Sequence, residues 1–146
     1  MSSRQAPLPS ISVDNVAVIR GNRLVLRGLT VTARSGDIIW VRGANGCGKS
    51  TLLRLIAGLL YATAGSIQTE GRIALADENL ALDANLTVEK ALMFWADMDG
   101  ASADARRAAL ADMDLQGLAQ VPVRFLSTGQ RKRASIARVL ASKADI

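Results

Sequence analysis

Gly43-Ala44-Asn45-Gly46-Cys47-Gly48-Lys49-Ser50 is the stretch on which the reading of the fold turns. It fits the phosphate-binding loop pattern G-x-x-x-x-G-K-[ST], which requires a strand before it and a helix after it. Ile38-Ile39-Trp40-Val41 is an apolar run suited to a strand buried on both faces, and Leu52, Leu53, Leu55, Ile56, Leu59 and Leu60 then recur at helical spacing. The glycines allow successive backbone N–H groups to converge on β- and γ-phosphate oxygens, and the positive end of the following helix adds to the attraction. Lys49 supplies a point charge, Ser50 a hydroxyl for Mg²⁺, and Thr51 a contact on the α-phosphate side. Cys47 falls at a free position of the pattern, so simple occupancy is favoured over a reactive thiol.

Outward from the loop, Ile11, Val13, Val16 and Val18 sit near period two, and the turn Arg20-Gly21-Asn22-Arg23 leads to a second β-like run from Leu24 to Thr32. This predicts a hairpin. Ser66 to Thr69 and Arg72 to Ala76 are further strand candidates about the turn Glu70-Gly71, after which the chain turns alanine-rich and helical. Thr87 and Ser102 are N-cap candidates for two helices, the second running to about Asp114. A last helix from Gln130 to about Ser142 carries Ile136, Val139 and Leu140 on one side. Met93, Phe94 and Trp95 read as core in preference to a docking surface, and Arg131-Lys132-Arg133 as a solvated helix face.

The 146 residues are 49% hydrophobic and 21% charged, which fits one globular domain. There is one cysteine and no histidine, so an internal disulfide, a His-centred catalytic site and a Cys/His zinc site are excluded. Residues 1–60 carry eight basic and two acidic groups, 61–120 four and ten, and 121–146 six and one. That basic, acidic, basic order suits two polyanion-facing segments around a solvated one better than a nucleic-acid-binding domain. No run reaches the roughly 20 apolar residues of a membrane helix, and Met1 to Ser10 has no apolar core, so a cytoplasmic chain is expected.

Leu126-Ser127-Thr128-Gly129-Gln130 is the second constellation. A serine at a helix N-cap followed by glycine places a hydroxyl and unpaired N–H groups at the positive end of a helix, which is an anion site. The sequence closely resembles the LSGGQ signature of ABC-type ATPases, with Thr128 in place of one glycine. Leu26-Arg27-Gly28-Leu29, Leu55-Ile56-Ala57-Gly58-Leu59-Leu60 and Ala64-Gly65-Ser66-Ile67 extend the resemblance over most of the chain. More narrowly, Arg72 to Leu75, Leu86-Thr87, Ala91 to Ala96 and Val121 to Arg124 look like the haem-exporter ATPases of cytochrome c maturation.

The resemblance implies an α/β P-loop NTPase fold of ABC ATPase type, with an N-terminal antiparallel β subdomain and a helical subdomain. The implied divisions are 11–85 for the β subdomain and phosphate-loop core, 86–130 for the helical subdomain and 130–146 for the signature helix. It implies ATP and Mg²⁺ as ligands, with Gly43, Ala44, Asn45, Gly46, Cys47, Gly48, Lys49, Ser50 and Thr51 around the nucleotide and Ser50 on the metal. Ser127, Thr128, Gly129 and Gln130 would act on the ATP of a second copy, so a homodimer is implied, working with integral membrane subunits on the inner face of the cell membrane. The implied activity couples ATP binding and hydrolysis to haem export or delivery for cytochrome c biogenesis. The alternatives are another ABC transporter, a soluble non-transport ABC ATPase, or a fragment that binds nucleotide weakly.

Three departures from the family pattern matter. No aromatic follows the first strand, which leaves the guanidinium of Arg20 as the planar group for adenine. Where relatives have a Gln that senses Mg²⁺ and water, the chain has Asp77-Glu78-Asn79; Glu78 is the candidate for that catalytic role, with an exposed acidic loop beside Asp83 as the equal alternative. Finally, the sequence stops at Ile146, where an apolar strand ending in Asp-Glu is expected. The C-terminal part of the core would then be missing, with apolar positions of the phosphate-loop strand uncovered and hydrolysis by the chain alone not expected.

Overall fold

The computed structural model describes residues 8–76 and 81–146. The chain divides into two compact units, one reaching Leu75 and including Asp145 and Ile146, the other Ala76–Ala144. In the first, strands β1 (Ser10–Arg20), β2 (Arg23–Arg34) and β3 (Ala64–Glu70) form an antiparallel sheet in the order β2-β1-β3, and helix α1 is Lys49–Ile56. The hairpin expected from the alternation of apolar residues is β1 and β2.

Buried Val13, Val16 and Val18 form the centre of this unit with Leu55 of α1. Val13 and Val16 are three residues apart, so a regular strand would point them to opposite faces. An irregularity between them resolves the conflict: the register shifts there against both neighbours, and Asn15 takes the left-handed conformation at φ 47°. Asn15 N–H donates to Thr30 Oγ1 at 3.0 Å, so its amide is satisfied off the ladder. The price of the bulge is a close approach at Gly65 of β3. A Cβ there would lie 2.4 Å from the carbonyl oxygens of both Asp14 and Asn15.

Ile38–Val41 is not a strand. Ile38 is 96% and Trp40 77% exposed, and no described segment pairs with the run. A strand in a parallel sheet exists only through neighbours on its two edges, so an apolar run without them stays irregular. Arg72–Ala76 is likewise not assigned as a strand, yet it shows the beginning of one. Ile146 N–H donates to Arg72 O at 3.0 Å and Ala74 N–H to Ile146 O at 2.9 Å, the two bonds flanking Ile73 as in a parallel pair. An apolar cleft of about 380 Å³ opens in this unit, lined among others by Val31, Leu52, Ile56, Ile73, Leu75 and Ile146.

The second unit packs helices α2 (Val88–Asp99), α3 (Ala103–Asp112) and α4 (Thr128–Ala141) around buried Leu92, Leu115 and Val88. Thr87 and Ser102 cap α2 and α3 as expected, accepting from Lys90 N–H and Ala105 N–H. The inward face of α4 is Ala134, Ala137 and Ala141, whereas Ile136 and Leu140, which the sequence puts together on one side, are 43% and 45% exposed. Small residues on a helix stripe let neighbouring helices approach closely, and that stripe takes the core in place of the larger side chains. Met93 and Phe94 of α2 are exposed as well; only Trp95 of the expected core trio packs against the cluster.

Gly65→Ala combines a carbonyl clash with a left-handed backbone at φ 81°. It should destabilise the chain by about 2–4 kcal/mol, read as a lower urea midpoint, whereas alanine at Gly46, left-handed too at φ 79° but with nothing within 4 Å of a Cβ, should cost less because only the backbone strain remains.

Candidate phosphate site and signature helix

The loop enters α1 through Gly48 in the left-handed conformation, φ 102° and ψ 7°, with no side chain capping the helix. Gly48 is buried against the hairpin: a Cβ would stand 2.8 Å from Leu26 Cδ2 and 3.2 Å from Val25 O. Only glycine meets both the backbone and the packing requirement there. The hydrogen bond that opens the helix is Leu52 N–H to Gly48 O at 2.9 Å. The N–H groups of Lys49, Ser50 and Thr51 therefore stand at the open positive end of α1, without intrahelical acceptors.

Lys49 folds back over the loop, its Nζ donating to Gly43 O and Ala44 O at 2.8 Å each. An ammonium has three donors, so one remains to face an anion. Ser50 is exposed on the first turn of α1. Cys47 is exposed, and its Sγ lies where a Cβ at Gly43 would come within 2.6 Å, so the thiol packs over the first glycine of the loop. Lining groups of this kind fit a phosphate chain. One hydroxyl, with phosphate oxygens and waters, is also the sparse protein donor set that Mg²⁺ accepts.

Arg20 ends β1 at the exposed tip of the hairpin. Gly48 packs on Leu26, Leu26 pairs with Val18, and Arg20 lies two residues farther on, about 7 Å along the strand. The structure thus brings Arg20 to the same end of the sheet as the loop. Glu78 lies outside the described residues.

In the other unit, Ser127 is the N-cap of α4 within a reciprocal capping box. Its Oγ accepts from Gln130 N–H at 3.3 Å, while Gln130 Oε1 accepts from Ser127 N–H at 2.8 Å. The box turns the Gln130 side chain into a structural element and leaves the Ser127 hydroxyl proton free to donate. Thr128 and Gly129 are exposed, and a Cβ at Gly129 would meet nothing within 4 Å. The fold of the chain itself therefore does not require glycine at this helix tip.

Arg131 and Arg133, expected on a solvated face, are instead engaged with backbone carbonyls. Arg131 donates from Nε to Leu126 O at 3.0 Å and from Nη2 to Arg124 O at 2.8 Å, fixing the turn that delivers Ser127. Arg133 donates to Met113 O at 3.1 Å and to Asp114 Oδ2 at 3.0 Å, at the C-terminal end of α3. Positioning by Arg131 was not legible from the run of basic residues, because the carbonyls it reaches lie five and seven residues back, before the helix begins.

A domain with a phosphate loop opening one helix and a Ser-x-Gly-Gln cap opening another is what an ATP-binding subunit of a transporter carries, and the comparisons agree. The ABC transporter family model matches residues 26–146, and the chain belongs to that family as an ATP-binding domain. It is 52% identical over 136 residues, 93% of its length, to the cytochrome c biogenesis ATP-binding export protein CcmA of Sphingopyxis alaskensis, of which it covers 70%. It is 49% identical, again over 93% of its length, to the CcmA of Zymomonas mobilis, of which it covers 61%. Its fold matches an inward-facing ABC transporter described as of metal-chelate type, with a TM-score of 0.79 and 26% identity, covering 94% of this chain and 58% of that one.

Ser127→Ala removes the acceptor for Gln130 N–H and should cost about 1 kcal/mol of stability, roughly 2–4 °C in the melting midpoint. Ser127→Asp, which keeps a capping oxygen, should recover most of that loss in the same melting curve.

Proposed function

We propose that the chain is the nucleotide-binding portion of an ABC transporter ATPase that couples ATP binding and hydrolysis to haem export or delivery in cytochrome c biogenesis. The observation that carries the reading is the geometry at Gly48 and Lys49: a left-handed glycine seated on the hairpin opens α1, with the ammonium clamped over two loop carbonyls. The specific assignment to cytochrome c biogenesis draws support from the two CcmA relatives at 52% and 49% identity.

In this reading the backbone amides from Gly43 to Ser50 hold the β- and γ-phosphates, Lys49 neutralises them, Thr51 touches the α-phosphate side and Ser50 gives its hydroxyl to Mg²⁺. Bound magnesium would neutralise charge on the phosphate oxygens during transfer. Arg20 stacks on adenine through its guanidinium plane. Glu78 keeps the catalytic role that the family resemblance gives it. Ser127, Thr128, Gly129 and Gln130 meet the γ-phosphate held by a second copy, the Ser127 hydroxyl and the free N–H groups of the helix tip acting as donors. The open space at Gly129 suits that close approach.

The nucleotide is then the glue of a head-to-tail homodimer that drives integral membrane subunits from the inner face of the cell membrane, without nucleic acid. Among the described residues no helix is long and apolar enough to cross a membrane.

Lys49→Ala should weaken ATP binding about 10- to 100-fold, the loss of one charge-assisted contact. Equilibrium dialysis with labelled ATP measures it, and undiminished affinity would overturn the site. For the biological assignment, residues 26–146 can replace the matching segment of the Sphingopyxis alaskensis protein in a strain lacking it. Restored haem-stained cytochrome c is expected; normal protein levels with no cytochrome would reject the haem reading.

A further inference from the structure

The hairpin carries a second irregularity, at the end that meets the phosphate loop. Val18 pairs with Leu26 but Ile19 with Leu24, so β2 holds one extra residue, Val25, between the two pairs. That residue is part of the seat of Gly48: a Cβ there would lie 3.1 Å from Val25 Cγ1 and 3.2 Å from Val25 O. β1 has no extra residue at this point and keeps its alternation, so Arg20 shares the face of buried Val18, which clusters with Leu55 of α1. Arg23 is the cross-strand partner of Arg20 and lies on the same face. Both are exposed, and neither side chain has an ion pair or hydrogen bond among the described residues. Like charges directly opposite one another weaken a hairpin, and no carboxylate among the described residues offsets this pair. Two free guanidiniums beside a phosphate loop suit a flat, electron-rich ring joined to a polyanion, which is a nucleobase on its phosphates.

We propose that Arg20 and Arg23 together hold the base of the nucleotide, and that this hairpin tip accepts guanine as readily as adenine. The inference rests on the reading of Gly43 to Ser50 as the phosphate site. A guanidinium plane stacks on any base, so Arg20 supplies hold without choice. Choice comes from the edges. An arginine presents donors only: guanine meets Arg23 with two acceptors, N7 and O6, whereas adenine offers N7 and opposes the second donor with its own N6 amino group. Asn22, in the turn between the two arginines, carries an acceptor as well as donors and matches N6 and N7 of adenine. The tip thus has a partner for each purine edge and excludes neither. The ligand class is the purine nucleoside triphosphates, GTP as much as ATP.

Equilibrium dialysis of the chain against labelled ATP and labelled GTP, each with Mg²⁺, reads the choice. Dissociation constants within about threefold of one another are expected. Arg23→Ala should lower the affinity for GTP relative to ATP by about five- to tenfold, and Arg23→Lys, which keeps the charge but not the planar fork, should lower it as well. Arg20→Ala should weaken both nucleotides to a similar extent. A ratio of affinities is unmoved by any loss of folded protein, so the Arg23 variants remain decisive if the hairpin is weakened. ATP held more than about tenfold tighter than GTP, an unchanged ratio in either Arg23 variant, or Arg20→Ala without effect on either nucleotide would each overturn the proposal and leave the phosphate site standing. Should the unaltered chain bind neither nucleotide, the phosphate reading falls and the base assignment with it.

Discussion

The seating of Gly48 on the hairpin is the contact from which the rest of the phosphate site follows. Its missing side chain leaves room for Leu26 and Val25, and its left-handed backbone turns the loop into α1. Because α1 starts there, three amides face outward at its positive end, and Lys49 is placed to reach back over Gly43 and Ala44. The hairpin is thereby more than a cover for the core. It is the surface that determines where the phosphates' donors stand, and the bulge at Asn15 is what keeps its valines turned inward beneath them.

The second helix tip is built by a different device. No glycine twist opens α4; a reciprocal pair of hydrogen bonds between Ser127 and Gln130 does so, with Arg131 holding the preceding turn. The two anion-facing ends thus divide the work differently. At α1 the backbone conformation organises the site, and at α4 side chains do, leaving the hydroxyl proton of Ser127 available. Arg133 fastens α4 to the end of α3.

Much of this was legible because it depends on local chemistry. A glycine-rich loop ahead of a periodic helix, a serine three residues before a glutamine, and alternating valines each state their structure within a few residues. What could not be read depends on partners distant in sequence. Ile38–Val41 has the composition of a buried strand, but strand formation needs edges that composition does not supply. The inward stripe of α4 is not legible from periodicity, which marks the larger Ile136 and Leu140, while close packing against α2 and α3 selects alanine. The carbonyl contacts of Arg131 and Arg133 were hidden for a similar reason: a run of basic residues looks solvated until the chain ends it reaches are known.

The bared run at Ile38, Ile39 and Trp40 also bears on how the molecule behaves in bulk. Oily backbone with unspent hydrogen-bonding capacity is adhesive toward any similar segment, including the same one on another molecule. At high concentration these residues are therefore prone to associate along this seam, strand edge to strand edge.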